Sequence, residues 1–233
     1  MSAVRQYPLP LAHRPALDAA DFLVADSNRS AVDWLDRWPA WPHPAVVIAG
    51  PEGAGKSHLA RVFARRAGAR VLAGAALDSA AVAALAGAVP GAAVVDDADA
   101  VVDHAALLHL YNLVAGRDGR LLLTARTAPA RWPLALADLR SRLVAAPLAV
   151  IEAPDDALLA AVIAKLFTDR GVAVDPEVVG YVAARIERSF AAAQRVVAAL
   201  DMHALAAGRR VSLALVRAAL PELLRNDDDT EEG

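Results

Sequence analysis

Short apolar runs alternate with helical stretches between residues 45 and 153. The runs are AVVIAG at 45–50, a weaker RVLAG at 70–74, AAVVDD at 92–97, RLLLTA at 120–125 and PLAVIEA at 147–153. Four of them are continuous and apolar, which is typical of parallel strands covered by helices on both faces. The stretches between them predict helices at 56–67, 78–88, 103–116 and 134–142. The pattern therefore predicts an α/β fold with a parallel sheet flanked by helices.

The pattern changes after Pro154, where β-rich runs cease and four helical stretches follow. Gly171 and Gly208 mark expected helix stops. Helix caps are expected at Asp155, Asp175 and Ser212. We expect an extended arm at 1–20, an α/β subdomain at 21–153, a small all-helical subdomain at 154–225 and an acidic, disordered tail at 226–233.

A further helix is expected before the first strand, with Ser27 or Asn28 as its cap. It ends at the proline-rich segment WPAWPHP. Trp34, Trp38 and Trp41 are expected to pack against the sheet, and the alternative is an aromatic patch that binds a partner.

Composition excludes several classes of protein. Apolar residues make up 57% of the chain and charged residues 22%, so it folds, and the absence of cysteine excludes disulfide scaffolds and thiol nucleophiles. The net charge is −3, but five acids lie in the last eight residues and the rest of the chain carries +2. A strongly basic nucleic-acid-coating protein is therefore disfavoured, and contact with DNA is expected to be weak or indirect. With neither a signal peptide nor a membrane-spanning run, we expect a cytoplasmic protein.

The segment GPEGAGKS at 50–57 matches G-x-x-x-x-G-K-[ST] completely, directly after an apolar strand and at the start of a helix. Glycines allow backbone amides to face phosphate oxygens, and the helix N-terminus favours an anion. The bound nucleotide would be ATP or ADP. Lys56 would bridge the β- and γ-phosphates of ATP, and Ser57 would ligate Mg²⁺. The predicted nucleotide-binding residues are Gly50, Pro51, Glu52, Gly53, Ala54, Gly55, Lys56, Ser57 and His58. His58 is alternatively an ordinary helix-face residue.

The strand AAVVDD supplies the acids that such a site needs. Asp96 would hold Mg²⁺ through water, and Asp97 would polarise the attacking water. Thr124, at the end of the next strand, is a third catalytic candidate, because a polar residue here can reach the γ-phosphate or that water. An ordinary strand-end threonine is the alternative.

These motifs, together with LADLRSRL at 136–143 and the helical region after them, resemble the AAA+ ATPases. More narrowly, they are similar to the DnaA-related family and its shorter Hda-type regulators. The resemblance runs from about residue 21 to 220, and the segment ADFLVADSNRSAV at 20–32 is part of it. It implies an AAA+ core followed by a helical lid. Since DnaA continues past its lid into a DNA-reading domain of about 100 residues, the short regulators are the better match.

DLRSRL resembles the family motif that bears the arginine finger, which maps onto Arg142, with Arg140 just before it. A finger stabilises charge on the γ-phosphoryl group bound by a neighbouring subunit. Two departures from the family count against ATP hydrolysis by this chain itself, so a weak ATPase is the most that the resemblance implies. Ala191 stands where the family carries a lid arginine, and Ala125, Arg126 and Thr127 replace the usual Ser-Asp-Arg.

QYPLPL at 6–11 resembles the motif by which Hda and other proteins bind the DNA polymerase III sliding clamp. Gln6 would hydrogen-bond at the pocket rim, and Leu9 and Leu11 would enter an apolar groove. A proline-stiffened arm loses little entropy on binding.

The resemblance implies a regulatory adaptor that binds the sliding clamp and adenine nucleotide and stimulates ATP hydrolysis by DnaA, so that replication initiation is inhibited. Two alternatives remain open. One is an autonomous AAA+ ATPase or helicase loader, which could form homo-oligomers. The other is a clamp-binding module whose nucleotide site has no function.

Overall fold

The computed structural model describes residues 24–86 and 91–228, with side chains to 85 and from 91 to 225. Five parallel strands form one sheet in the order β2-β3-β4-β1-β5. The strands are β1 Ala45–Ala49, β2 Arg70–Ala73, β3 Ala92–Asp96, β4 Arg120–Ala125 and β5 Leu148–Val150. Each predicted strand is present, and the α/β fold with a parallel sheet is confirmed.

Helices lie on both faces of the sheet, and four more follow the last strand along the described chain. They are α1 Arg29–Asp36, α2 Lys56–Ala67, α3 Ser79–Ala86, α4 His104–Ala115, α5 Ala137–Ala145, α6 Asp156–Asp169, α7 Pro176–Ala183, α8 Phe190–Ala206 and α9 Leu213–Asp228. Three short 3₁₀ turns follow β2, β3 and β4, at Gly74–Ala76, Ala98–Ala100 and Pro129–Arg131.

The continuous apolar runs are explained by burial of the sheet on both faces. In β1, Ala45 and Val47 belong to the core beneath α3, α4 and α5, whereas Val46 and Ile48 belong to the core shared with α1 and α2. All five β1 residues are buried. β2 was the weaker run because it is an edge strand with mostly exposed side chains. A separate core joins α6, α7, α8 and α9.

The tryptophans pack internally, as expected. Trp41 is buried and stacks on Phe63 of α2, with ring centroids 5.4 Å apart, and its Nε1 donates to the carbonyl of Trp34 at 2.6 Å. Trp38 meets the same Phe63 ring edge-on. These contacts fix α1 against the helix that begins at residue 56.

Two of the predicted helix caps form a capping hydrogen bond and two do not. Asp175 precedes α7, but its side chain does not cap the helix. Asp155 accepts the N–H of Leu158 at 2.7 Å, and Ser212 accepts that of Leu215 at 3.4 Å. Asn28 precedes α1, but its Oδ1 accepts the N–H of Ala25 at 3.0 Å. Within the described part of the chain, this amide stabilises the preceding turn instead of capping the helix.

Two predicted boundaries are wrong. The helix predicted at 134–142 begins only at Ala137, because Leu134 and Leu136 pack against the sheet core from an extended segment. The acidic tail was predicted to start at Asn226, but α9 continues through Asp228. Leu223 and Leu224 pack against the helical core and keep this part of the chain helical. Residues 229–233 lie outside the described structure.

Candidate nucleotide site

The loop at residues 50–55 joins β1 to α2 and has the backbone shape of a phosphate cradle. Gly53 and Gly55 have φ angles of 70° and 91°, which L side chains rarely adopt. Gly55 directly precedes α2, and among the described residues no side chain caps this helix. The first amides of α2 are therefore available to an anion.

Lys56 lies at the base of this loop and is only 6% exposed. Its Nζ donates to the carbonyl oxygens of Gly50 at 2.9 Å and Pro51 at 2.7 Å. Burial lowers the pKa of Lys56, and the nearby carboxylates of Asp97, Asp99 and Asp96 oppose that shift. In the described residues its hydrogen bonds go to loop carbonyls, and phosphate oxygens would be stronger partners for a buried ammonium.

The two predicted acids follow one another at the end of β3, and the second one has an unusual backbone. Asp97 has φ 55° and ψ 54°, a left-handed conformation that is uncommon for a residue with a side chain. Burial raises the pKa of Asp97, Asp96 raises it further, and Lys56 opposes the shift. The Asp97 carboxylate thus lies in the field of the loop lysine, on the side where phosphate would bind.

Thr124 is fully buried and joins the two acids. Its hydroxyl donates to Oδ1 of Asp96 and accepts the backbone N–H of Asp97 at 3.0 Å. The side chain therefore fixes the end of β3 from the neighbouring strand. Its expected contact with the γ-phosphate or the attacking water stays a prediction.

Gly74, which the sequence reasoning missed, holds the same acidic turn from the other side. A Cβ atom on Gly74 would lie far inside van der Waals contact with the backbone carbonyl of Asp97. The 3₁₀ turn after β2 packs on the one after β3 at this point. No local motif marks this glycine, because the contact joins residues more than twenty positions apart.

We expect Gly74→Ala to lower the free energy of unfolding by about 1–3 kcal/mol, because backbone must move to admit the methyl group. Gly180→Ala is the control, since Gly180 lies inside α7 with no neighbouring atom within 4 Å of the added carbon. That change is expected to stabilise the protein by about 0.5–1 kcal/mol. Chemical denaturation measures both, and equal effects would contradict the close packing at Gly74.

The start of α8 closes over the glycine loop. The N–H of Phe190 donates to the carbonyl of Gly53 at 2.8 Å. A Cβ on Gly53 would collide with Ser189, and one on Gly55 would lie 2.9 Å from the Phe190 ring. The two glycines are therefore needed for contact with the helical region as well as for the cradle.

A cavity of about 280 Å³ lies between the loop, the acidic turn and α8. Its lining residues are Glu52, Gly53, Gly55, Lys56, Ser57, His58, Arg61, Asp97, Arg126, Ala191 and Gln194. Ala191, which stands where the family carries a lid arginine, lines the cavity, and so does the uncharged Gln194. Among the lining residues, α8 therefore contributes no cation. Arg61, Arg126 and Gln194 were not predicted as site residues, because they lie outside the motif.

The other predicted cofactor residues lie near this cavity, but they do not line it. Gly50 directly follows β1 and lies beside Ile151, Pro51 supplies a carbonyl to Lys56, and Ala54 is buried in the core. Asp96 is held by Thr124 at the end of β3. Within the described chain no three His, Asp or Glu side chains form a metal cluster, so Mg²⁺ at Ser57 and Asp96 would also need phosphate oxygens.

Arg142 lies elsewhere, on α5, and is not among the residues that line the cavity. Its Nε donates to Oδ1 of Asp138 at 2.8 Å, and its guanidinium carbon lies 5.4 Å from the centroid of the Tyr111 ring. The side chain is 40% exposed. The guanidinium is thus oriented by two neighbours and accessible at the surface.

The predicted clamp-binding residues Gln6, Leu9 and Leu11 lie outside the described residues, and so does Phe22 of the family-like segment. Within the described residues, no helix has the length and apolar character needed to cross a membrane.

No protein-family model and no curated protein sequence matches the chain. Solved structures do match it in fold. Domain III of the Thermotoga maritima replication initiation protein DnaA is 16% identical, with a TM-score of 0.76 over 94% of this chain and 98% of that one. The AMPPCP-bound structure of DnaA from Aquifex aeolicus is 18% identical, with a TM-score of 0.60 over 75% of this chain and 61% of that one.

The Thermotoga maritima RuvB Holliday junction branch migration motor is similar as well. It is 19% identical, with a TM-score of 0.65 over 84% of this chain and 66% of that one. The chain thus spans about two thirds of the length of the longer matches. The likeness shows that this chain shares the fold of these proteins, a parallel sheet flanked by helices with a helical region after it.

Proposed function

We propose that this protein is an Hda-like adaptor that binds the DNA sliding clamp and adenine nucleotide and stimulates ATP hydrolysis by DnaA. Replication initiation would thereby be negatively regulated. The observation that carries the proposal is the placement of Arg142, which is oriented and exposed but does not line the chain's own nucleotide cavity. An arginine so placed is suited to act on a nucleotide held by another subunit.

The surface around Arg142 supports contact with a partner. Val144 on the same helix, and Leu148 and Val150 on the following edge strand, are large apolar side chains exposed to solvent. Exposed apolar residues beside an oriented charge are typical of protein interfaces. We therefore expect the ATPase domain of DnaA to dock against α5 and β5.

The chain's own site fits ATP or ADP. The amides at the start of α2 and the Lys56 ammonium would hold the phosphates, and Ser57 and Asp96 would hold Mg²⁺. The related DnaA structure with AMPPCP supports this assignment. Bound nucleotide would lie between the loop, the acidic turn and α8, with Mg²⁺ between its phosphates and Asp96, and so would set the geometry in which the adaptor docks.

Clamp binding is tested with the N-terminal arm. We expect a sliding-clamp pull-down to retain the wild type and to lose Gln6→Ala/Leu9→Ala. Burial of one leucine side chain contributes about 1.5–3 kcal/mol, so the affinity should fall at least about tenfold. Leu17→Ala, in the same segment but outside QYPLPL, is the control and should bind like the wild type. Retention of the double variant would overturn the assignment of the arm.

An autonomous AAA+ ATPase, or a helicase-loader-like protein that forms homo-oligomers, is the second candidate. The position of Asp97 in the cavity with Lys56 favours it. It requires steady intrinsic ATP turnover that disappears in Asp97→Asn. The adaptor proposal instead expects turnover close to background, because α8 presents Ala191 to the cavity.

A further inference from the structure

Arg126 is a cation in the nucleotide cavity that the glycine-loop motif does not include. It follows β4, and its backbone N–H donates to Oδ2 of Asp99 at 2.8 Å, which fixes its backbone beside the acidic turn. Its side-chain Nη2 lies 2.9 Å from Oε2 of Glu52. Because Glu52 belongs to the glycine loop, this ion pair spans the cavity from one wall to the other.

The cations that line the cavity outside the glycine loop are Arg61 on α2 and Arg126, and Arg126 is paired with the loop itself through Glu52. The lining residues from α8 are Ala191 and Gln194, which carry no charge. Lys56 is buried and already donates to two loop carbonyls. Arg126 lines the same cavity as Lys56 and Asp97, so its guanidinium borders the space in which a terminal phosphate would lie.

We propose that Arg126 binds the terminal phosphate of a bound nucleoside triphosphate, and that its ion pair with Glu52 is the ligand-free state of this side chain. The inference rests on the proposed binding of adenine nucleotide at the glycine loop. Arg126 would then be a determinant of specificity within that site, because it supplies, after β4, the cation that α8 lacks.

The exchange of partners is energetically favourable. The side chains of Glu52 and Arg126 are 77% and 65% exposed, and an ion pair between exposed side chains contributes little. A guanidinium binds phosphate through two parallel hydrogen bonds, which are stronger. The Glu52 carboxylate would be released into solvent at low cost.

The test is equilibrium binding of AMPPCP and ADP, measured by calorimetry on the full chain. Wild type should bind AMPPCP more tightly than ADP. Arg126→Gln should weaken AMPPCP binding by about tenfold or more, since each 1.4 kcal/mol is a factor of ten, and change ADP binding by less than about threefold. Glu52→Gln should bind AMPPCP more tightly than wild type, because the carboxylate that competes for Arg126 is removed. Arg131→Gln, an exposed arginine outside the cavity, is the control and should match wild type.

A charge-swapped variant, Glu52→Arg/Arg126→Glu, separates phosphate binding from a purely structural ion pair. Its affinity for AMPPCP should remain low, because the cation then lies on the glycine loop and no longer after β4. If the ion pair had a purely structural role, the swapped pair would restore the wild-type affinity. Restored AMPPCP affinity, or equal effects of Arg126→Gln on both nucleotides, would overturn the inference. If wild type binds neither nucleotide, the proposed nucleotide binding fails as well. Thermal unfolding without nucleotide checks that each variant is folded.

Discussion

Substitution of Arg142 by alanine is expected to remove the stimulation of DnaA-bound ATP hydrolysis, with a rate loss on the order of 10³-fold, as for arginine fingers elsewhere. The reason is that the guanidinium would stabilise charge on the γ-phosphoryl group in the partner's site as that charge develops. Asp138 and Tyr111 hold Arg142 in one orientation, so little ordering remains to be done on docking. The measurement is the rate of phosphate release from DnaA-ATP in the presence of clamp-loaded DNA.

Arg140→Ala is the matched control for this experiment. Arg140 lies on the same helix, is exposed, and donates to the carbonyl of Ala130 at 3.1 Å. The variant should stimulate DnaA like the wild type, and both variants should keep clamp and nucleotide binding. If Arg142→Ala stimulates DnaA as well as wild type does, the finger is assigned to the wrong residue.

Substitution of Lys56 by alanine is expected to weaken binding of ATP by about 100-fold or more, because a hydrogen bond to a charged group contributes about 1.5–3 kcal/mol and the ammonium would bridge two phosphates. Binding of ADP, which lacks the γ-phosphate, should weaken by about tenfold or more. Lys56 is buried at the base of the glycine loop, and no other lysine lines the cavity. Calorimetric titration of wild type and variant with ATP and with ADP measures the effect.

Lys165→Ala provides the control with the only other lysine in the sequence. Lys165 lies on α6 and pairs with Asp169 at 2.9 Å, away from the cavity. Its removal should leave nucleotide affinity unchanged. Wild-type affinity in Lys56→Ala would contradict the site, and failure of the wild type to bind any adenine nucleotide would favour a clamp-binding module whose nucleotide site has no function.

The sheet and the glycine loop could be predicted because their signals are local. In β1, five consecutive apolar residues serve two different cores, and this double burial requires an uninterrupted run. GPEGAGKS carries its left-handed glycines and its lysine within eight residues, between a strand and a helix that were both recognisable.

The rest of the site depends on contacts between distant parts of the chain. Thr124 joins Asp96 across 28 positions, and the hydroxyl could not be placed there from the strand-end pattern alone. Arg126 was noticed only as a departure from the family sequence, since its partner Glu52 is on another wall of the cavity. Leu134 and Leu136 fit a helical pattern by composition, but tertiary packing holds them in an extended segment.

The most direct test of the adaptor proposal is the rate of ATP hydrolysis by DnaA with and without this protein, on DNA loaded with the sliding clamp. The proposal predicts a large acceleration that requires the clamp, the loaded DNA and an intact Arg142. An unchanged rate of DnaA-ATP turnover on clamp-loaded DNA would contradict it.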